Sequence, residues 1–161
     1  MQRIMVVSDT HGRLENLAEA LSREGKLDML IHLGDFEGDD EVICEMANCK
    51  VLMVPGNNDF FSTLNREIET QIGKYHVLLT HGHYYYVSLD LKTLHDEGIA
   101  RGFDIVMFGH THRPVINVGD VITMINPGSL SYPRQQDKKS TYIMMEVDSK
   151  ENINFYLKAV E

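Results

Sequence analysis

MQRIMVVSDTHG, residues 1–12, sets the reading of the whole chain. The apolar run IMVV at 4–7 has the length of a strand buried on both faces, and it passes directly into Ser8-Asp9-Thr10-His11. The same succession recurs downstream. MLI at 29–31 leads to Gly34-Asp35, VLMV at 51–54 to Gly56-Asn57-Asn58-Asp59, HVLL at 76–79 to Thr80-His81-Gly82-His83, and DIVMF at 104–108 to Gly109-His110-Thr111-His112. Each buried run therefore ends in carboxylate, imidazole or amide groups.

Between the first three runs lie LENLAEALSREG and DDEVICEMAN, whose apolar residues repeat every three or four positions. That spacing predicts helices, the first with Leu14, Leu17, Ala18 and Leu21 on its covered face. A third helix is expected within SLDLKTLHDEGIARG at 88–102, starting on Ser88 as N-cap and ending near Gly102. Strands alternating with helices imply parallel pairing and an α/β fold. Gly73-Lys74 and Gly119-Asp120 predict hairpins between 66–72 and 75–80 and between 114–118 and 121–125. TYIMMEV at 141–147 and INFYL at 153–157 add two more strands around a polar turn. The balance favours two packed sheets with helices outside, in a single domain over residues 1–161.

Composition narrows the partners. Fifteen Lys and Arg against twenty-four Asp and Glu give a formal charge of −9, which opposes tight binding to long nucleic acids. Bound cations would still turn an acidic cleft into an anion trap, so a small phosphate substrate remains compatible. Cys44 and Cys49 have the spacing of neither a redox pair nor a zinc pair. No run approaches a membrane span and the N-terminus lacks a signal peptide's apolar stretch, so a cytoplasmic location without a membrane partner is expected. Self-association is left open.

Taken singly, each motif has a structural explanation: Asp9 as a helix cap, Gly34-Asp35 as a turn, His110 and His112 as surface loop residues. Taken together they have a common destination, because loops at the carboxyl ends of parallel strands converge on one crevice. The donors Asp9, His11, Asp35, Asn57, His81, His110 and His112 form a nitrogen and oxygen set without thiolate, suited to manganese, nickel, cobalt, iron or zinc. Seven ligands exceed what one tetrahedral ion takes, and two ions sharing a carboxylate would use them all.

With DTH, GD, GNND, THGH and GHTH in that order over residues 9–112, the chain resembles the calcineurin-like metallophosphoesterase superfamily. Its length and the NPGS at 126–129 are similar to the compact bacterial and archaeal phosphodiesterase branch. The resemblance implies a four-layer α-β-β-α sandwich of two mixed sheets flanked by helices. It implies two divalent transition-metal ions, manganese first among them, with Asp9, His11, Asp35 and His112 on one and Asp35, Asn57, His81 and His110 on the other. It further implies hydrolysis of a small phosphodiester by a hydroxide bridging the ions. Alternatives of the same fold are a phosphomonoesterase and a non-catalytic interaction scaffold like the retromer subunit.

The departure is Asn58, assigned here to the catalytic site, where many relatives carry a proton-donating histidine. An amide donates a hydrogen bond to a phosphoryl oxygen but supplies no proton to a leaving group. His83 is expected beside the ligands rather than among them. His32, His76 and His95 are expected to be structural or solvent-facing. Arg13 is a candidate phosphate contact, Tyr84 to Tyr86 are expected to be buried at the sheet edge, and Asn126 to Ser129 are expected to form a supporting turn.

Overall fold

Strand β1 (Gln2–Val7) shows why the chain folds in layers. Alternate side chains of an extended backbone face opposite ways, so Ile4 and Val6 enter one core, Met5 and Val7 enter another, and all four are fully buried. In the computed structural model, which describes residues 1–160, this double burial is repeated in both sheets. β1 is followed by α1 (Glu15–Glu24), β2 (Met29–His32), α2 (Asp40–Ala47), β3 (Lys50–Met53), β4 (Glu67–Ile72) and β5 (Tyr75–Thr80). Then come α3 (Lys92–Ala100), β6 (Ile105–Met107), β7 (Pro114–Val118), β8 (Thr123–Pro127), β9 (Ser140–Val147) and β10 (Ile153–Val160).

Two five-stranded sheets form, ordered β10-β9-β1-β2-β3 and β4-β5-β6-β8-β7. In the first sheet the parallel strands β1-β2-β3 run out to one edge with antiparallel β9 and β10 on the other side, and in the second the parallel strands β5-β6-β8 are central with antiparallel β4 and β7 at the edges. Ile4, Val6 and Ile31 of the first sheet meet Val77, Leu79 and Ile125 of the second in the central core. The outer face of the first sheet is covered by α1 and α2 through Leu17, Ala20 and Ile43, and that of the second by α3 through Leu94. This is the expected four-layer sandwich of mixed sheets. Burying one Leu or Ile contributes about 1.5–3 kcal/mol, so three apolar layers fix the two sheets against each other firmly enough to hold their loops in register.

Three local expectations need correction. Ala18 is exposed and Ala20 takes its place on the covered face of α1. Both lie within one turn of Leu17, and spacing alone does not say which flank the sheet will cover. Ser88 is exposed and does not cap α3; the chain first turns at Tyr86 (φ 58°), with the Leu89 N–H donating to the Tyr86 carbonyl at 2.9 Å. Helix α3 starts only at Lys92, whose N–H donates to Asp90 Oδ1 at 3.0 Å. The β4-β5 hairpin turns on Gly73 (φ +57°) as expected. The β7-β8 connection instead spans Gly119 to Ile122, closed by the Gly119 N–H to the Ile122 carbonyl at 3.2 Å.

Candidate metal centre

The strand ends converge because pairing continues past them. The Asp9 N–H donates to the Gly34 carbonyl and the His11 N–H to the Asp35 carbonyl, both at 2.9 Å, which locks the loop after β1 to the loop after β2. In the second sheet the Gly109 N–H donates to the His81 carbonyl at 3.0 Å, locking the loops after β5 and β6. Close approaches at Gly34 and Gly109 are among those that require glycine. A Cβ on Gly34 (φ +110°) would meet His81 Nδ1 at 2.6 Å, and one on Gly109 would collide with Ser8 Oγ.

Five of the seven predicted ligands adopt left-handed backbone: Asp9 (φ 57°), His11 (48°), Asp35 (62°), His110 (72°) and His112 (60°). Residues with a Cβ hold that conformation at a cost of order 1–3 kcal/mol each, sustained by the surrounding structure. Here it aims the side chains into one space. Ligand atoms of Asp9, His11, Asp35 and His112 lie within 4.8 Å of one another, as do those of Asp35, His81 and His110, so Asp35 belongs to both groups. Asn57 joins the second group, its Oδ1 3.1 Å from His81 Nε2 and 3.0 Å from His110 Nδ1. All seven predicted ligands are thus brought together.

The hydrogen bonds around the cluster fix what it presents. His81 Nδ1 donates to the Leu33 carbonyl and His112 Nδ1 to the Tyr132 carbonyl, both at 2.7 Å, so a neutral ring in either position turns the lone pair of Nε2 inward. His11 Nδ1 faces Glu37 Oε2 at 3.4 Å. His11 Nε2 and His112 Nε2 then meet at 3.1 Å, while Asp9 Oδ1 lies 3.4 Å from His112 Nε2 and 3.8 Å from His81 Nε2. Asp9 Oδ1 is buried and has no hydrogen-bond partner. Converging lone pairs around an unpartnered buried carboxylate oxygen need positive charge at their centre, and a divalent cation fits that donor set.

The titration behaviour reflects the same crowding. Burial, the largest influence on Asp9, raises its carboxyl, but the close approach of His112 and the charge of His81 outweigh it and hold the group below the usual carboxylate range. Asp35 is likewise held low, against burial, by His81 and by two bonds from Asn58. Burial lowers His81, yet Asp35 and Asp9 together bring it up to about 9. Burial and the neighbouring His81 lower His110.

Asn58 is turned onto Asp35: its backbone N–H donates to Oδ1 at 2.9 Å and its Nδ2 to Oδ2 at 3.0 Å. His83 stays out of the ligand groups, with its ring 5.3 Å from that of His81 and its buried Nδ1 unpartnered. Arg13 is exposed, its guanidinium 5.1 Å from the Tyr132 ring centre. Tyr84 and Tyr86 are exposed rather than buried, because a single 3-10 turn at His83–Tyr85 carries them outward; Tyr85 alone tucks in, donating to Glu67. His32 is fully buried, accepting the Gly34 N–H at Nδ1 and meeting Thr10 Oγ1 at Nε2, each at 3.1 Å. Asn126, next to last in β8, donates to the Gly109 carbonyl and Thr111 Oγ1, while Ser129 Oγ donates to the Asp9 carbonyl. The NPGS segment is therefore a support, as expected, but not wholly a turn: Asn126 and Pro127 end strand β8, and only Gly128 and Ser129 lie beyond it.

Sequence reasoning missed Asp59. One of its oxygens accepts the N–H groups of Asp35 and Gly56 and the other that of Glu37, all at 2.7 Å, tying the loop after β2 to the loop after β3. Its place at the end of GNND was the available signal. Glu37 and Ser8, whose Oγ donates to Asp9 Oδ2 at 2.6 Å, gave none.

Two facing mixed sheets with one carboxylate, imidazole and amide cluster at their joined strand ends define a metallohydrolase type of protein. Residues 2–150 match the calcineurin-like phosphoesterase superfamily domain, and the chain belongs to that family. It is 31% identical to the probable metallophosphoesterase YsnB of Bacillus subtilis (strain 168), covering 95% of this chain and 89% of that protein. It is 30% identical to the phosphodiesterase YfcE of Escherichia coli (strain K12), covering 92% and 89%. A conserved protein of Streptococcus pneumoniae TIGR4, described as a predicted phosphoesterase, superposes with a TM-score of 0.79 at 30% identity, covering 96% of this chain and 88% of that one. The family and the Asp and His clusters support a metal-binding phosphoester hydrolase, and no helix among the described residues is long and apolar enough to cross a membrane.

Proposed function

We propose that this chain is a cytoplasmic phosphodiesterase holding two divalent transition-metal ions, manganese first among the candidates, and acting on a small phosphodiester. The observation that carries the reading is the membership of Asp35 in both ligand groups, since one carboxylate shared between two donor sets suits a pair of ions. Asp9, His11 and His112 complete one set; Asn57, His81 and His110 complete the other. When bound, such ions polarise phosphoryl oxygens and acidify a shared water.

The chain's own residues orient that chemistry. Asn58 fixes the Asp35 carboxylate with two hydrogen bonds and keeps a second Nδ2 proton for a phosphoryl oxygen. Asp59 holds the loops of Asp35 and Asn57 at constant separation. With no titratable proton at Asn58, the leaving oxygen departs with little acid assistance, and activated esters are the better substrates.

Elemental analysis of purified protein, followed by chelation, reloading with single ions and a panel of phosphodiesters and phosphomonoesters, tests the reading. Two ions per chain and diester turnover that vanishes on chelation and returns with manganese are expected. Preference for monoesters would replace it with the phosphomonoesterase alternative. Metal binding with no turnover of either class would replace it with the scaffold.

A further inference from the structure

Beside Asn57 the centre opens into a cavity of about 360 Å³ whose far wall carries Phe60, Leu64, Arg66 and Tyr84. Its charge differs from that of the rest of this acidic chain. The one carboxylate at its edge is Asp59, and both oxygens of Asp59 are already occupied by three backbone N–H groups. Arg66 thus brings the cavity's one guanidinium, and Asp59 has no oxygen directed at it. Its guanidinium stands 4.5 Å from the Tyr84 ring centre, and the other contact of that ring is His83, at 4.1 Å between centres. No acidic side chain among the described residues pairs with Arg66, whereas Arg3 pairs with Glu24 and Arg101 with Glu67.

A guanidinium stacked on an aromatic ring keeps its in-plane N–H groups for a planar or tetrahedral oxyanion. The opposite opening, lined by His11, His112, Tyr132 and Arg134, also contains Glu37, whose carboxylate would repel a second anion. Only the Arg66 side combines an unpaired cation, a spent carboxylate and direct continuity with a candidate ligand, Asn57. Phe60, 80% exposed at the lip, adds an apolar surface for an organic group.

We propose that this cavity is the subsite for one organic arm of the diester, and that Arg66, seated on Tyr84, selects substrates bearing a second phosphoryl group on that arm. This rests on the phosphodiesterase reading and deepens it: the preferred class is a phosphodiester carrying an additional phosphate, as in a nucleoside whose 5′-phosphate is esterified and whose 3′-hydroxyl bears a second phosphate. Arg66 is a specificity residue in this scheme.

The test uses thymidine 5′-(4-nitrophenyl phosphate) with and without a 3′-phosphate, so that bond broken and leaving group are identical. With manganese-loaded protein the ratio of kcat/KM values should favour the 3′-phosphorylated ester by roughly tenfold or more, the size of one charge-assisted hydrogen bond. The ratio should fall to about one in Arg66→Ala and remain partly in Arg66→Lys. In parallel, calorimetry with thymidine 3′,5′-bisphosphate and thymidine 5′-monophosphate reads the subsite without turnover, and the bisphosphate should bind tighter in the wild type but not in Arg66→Ala. A wild-type ratio near one, or one that survives Arg66→Ala, overturns the subsite. If neither ester is turned over, the phosphodiesterase reading fails, and calorimetry still decides whether Arg66 binds a second phosphate.

Discussion

Asp9, Asp35, His81 and His112 lie below the surface, with the outer nitrogens of both imidazoles bonded to backbone carbonyls, whereas Asn57 is exposed and His110 half-exposed at the rim. The two ligand groups share Asp35 but not their surroundings. In the Asp9 group Asp9 and His112 are already held in buried surroundings and only His11 is half-buried, whereas in the Asn57 group, apart from the shared Asp35, His81 alone is buried. The Asn57 group must fix two rim side chains when a cation enters, losing rotamer entropy. One ion should therefore be held tightly and the other exchange readily, on the side where the substrate cavity opens.

Asp35→Asn is the most severe way to break this contrast, because it removes charge from both groups while keeping the side chain's shape and one of its two Asn58 contacts, the amide NH2 being unable to accept the other. Elemental analysis should find both ions lost or weakened, and diester turnover should fall by at least about 10²-fold, beyond the 10–100-fold typical of changes one shell further out. Two ions retained at wild-type affinity would dissolve the shared role of Asp35.

The next largest effect is a gain. Asn58→His adds an imidazole with an unperturbed pKa near ~6.5 beside the leaving oxygen. General-acid assistance is typically worth about 10²–10⁴-fold, so poor alkyl leaving groups should gain most and aryl ones little. A plot of log rate against leaving-group pKa at fixed metal occupancy should flatten. Because Asn58 also bonds Asp35, metal content must be measured in the same samples; equal slopes at equal occupancy would mean that another group already protonates the leaving oxygen.

Asn57→Ala and His112→Ala separate the two groups directly. Asn57→Ala should weaken the exchangeable ion alone by about 10–100-fold, while His112→Ala should weaken the tight one. Competition with a chelator of graded strength reads both constants. If the two ions leave the wild type together, the difference in burial does not translate into affinity.

The strands, the layer architecture and the ligand motifs were legible because double burial demands unbroken apolar runs and because polar residues directly after such runs stand out. What was not legible depends on backbone direction. Nothing in the sequence marks Asp9, His11, Asp35, His110 and His112 as left-handed, yet that conformation aims them. Tyr84 and Tyr86 read as buried aromatics until a 3-10 turn carries them outward. Ala18 and Ala20 are chemically identical, and only the position of the sheet under α1 tells them apart. Asp59 was visible as a motif residue, but its three N–H partners come from two loops whose adjacency is tertiary.

The smallest effect concerns Glu37, the one carboxylate among the described residues that faces the outer nitrogen of a ligand imidazole, at 3.4 Å from His11 Nδ1. His81 and His112 lean on neutral carbonyls, which orient a ring without adding charge. A carboxylate in that place both orients the ring and adds a negative charge near the ion, so Glu37→Gln should weaken the ion of the Asp9 group by no more than about tenfold, the low end for such partners. Glu37 is 40% exposed, and exposed charges are screened by salt over about 10 Å at 0.1 M ionic strength. The wild-type affinity for that ion should accordingly fall as salt rises, and the Glu37→Gln affinity should fall less, with the two curves approaching each other at high salt. A constant gap between the curves would assign the effect to ring orientation through a hydrogen bond, since a neutral contact at this position carries no screened charge.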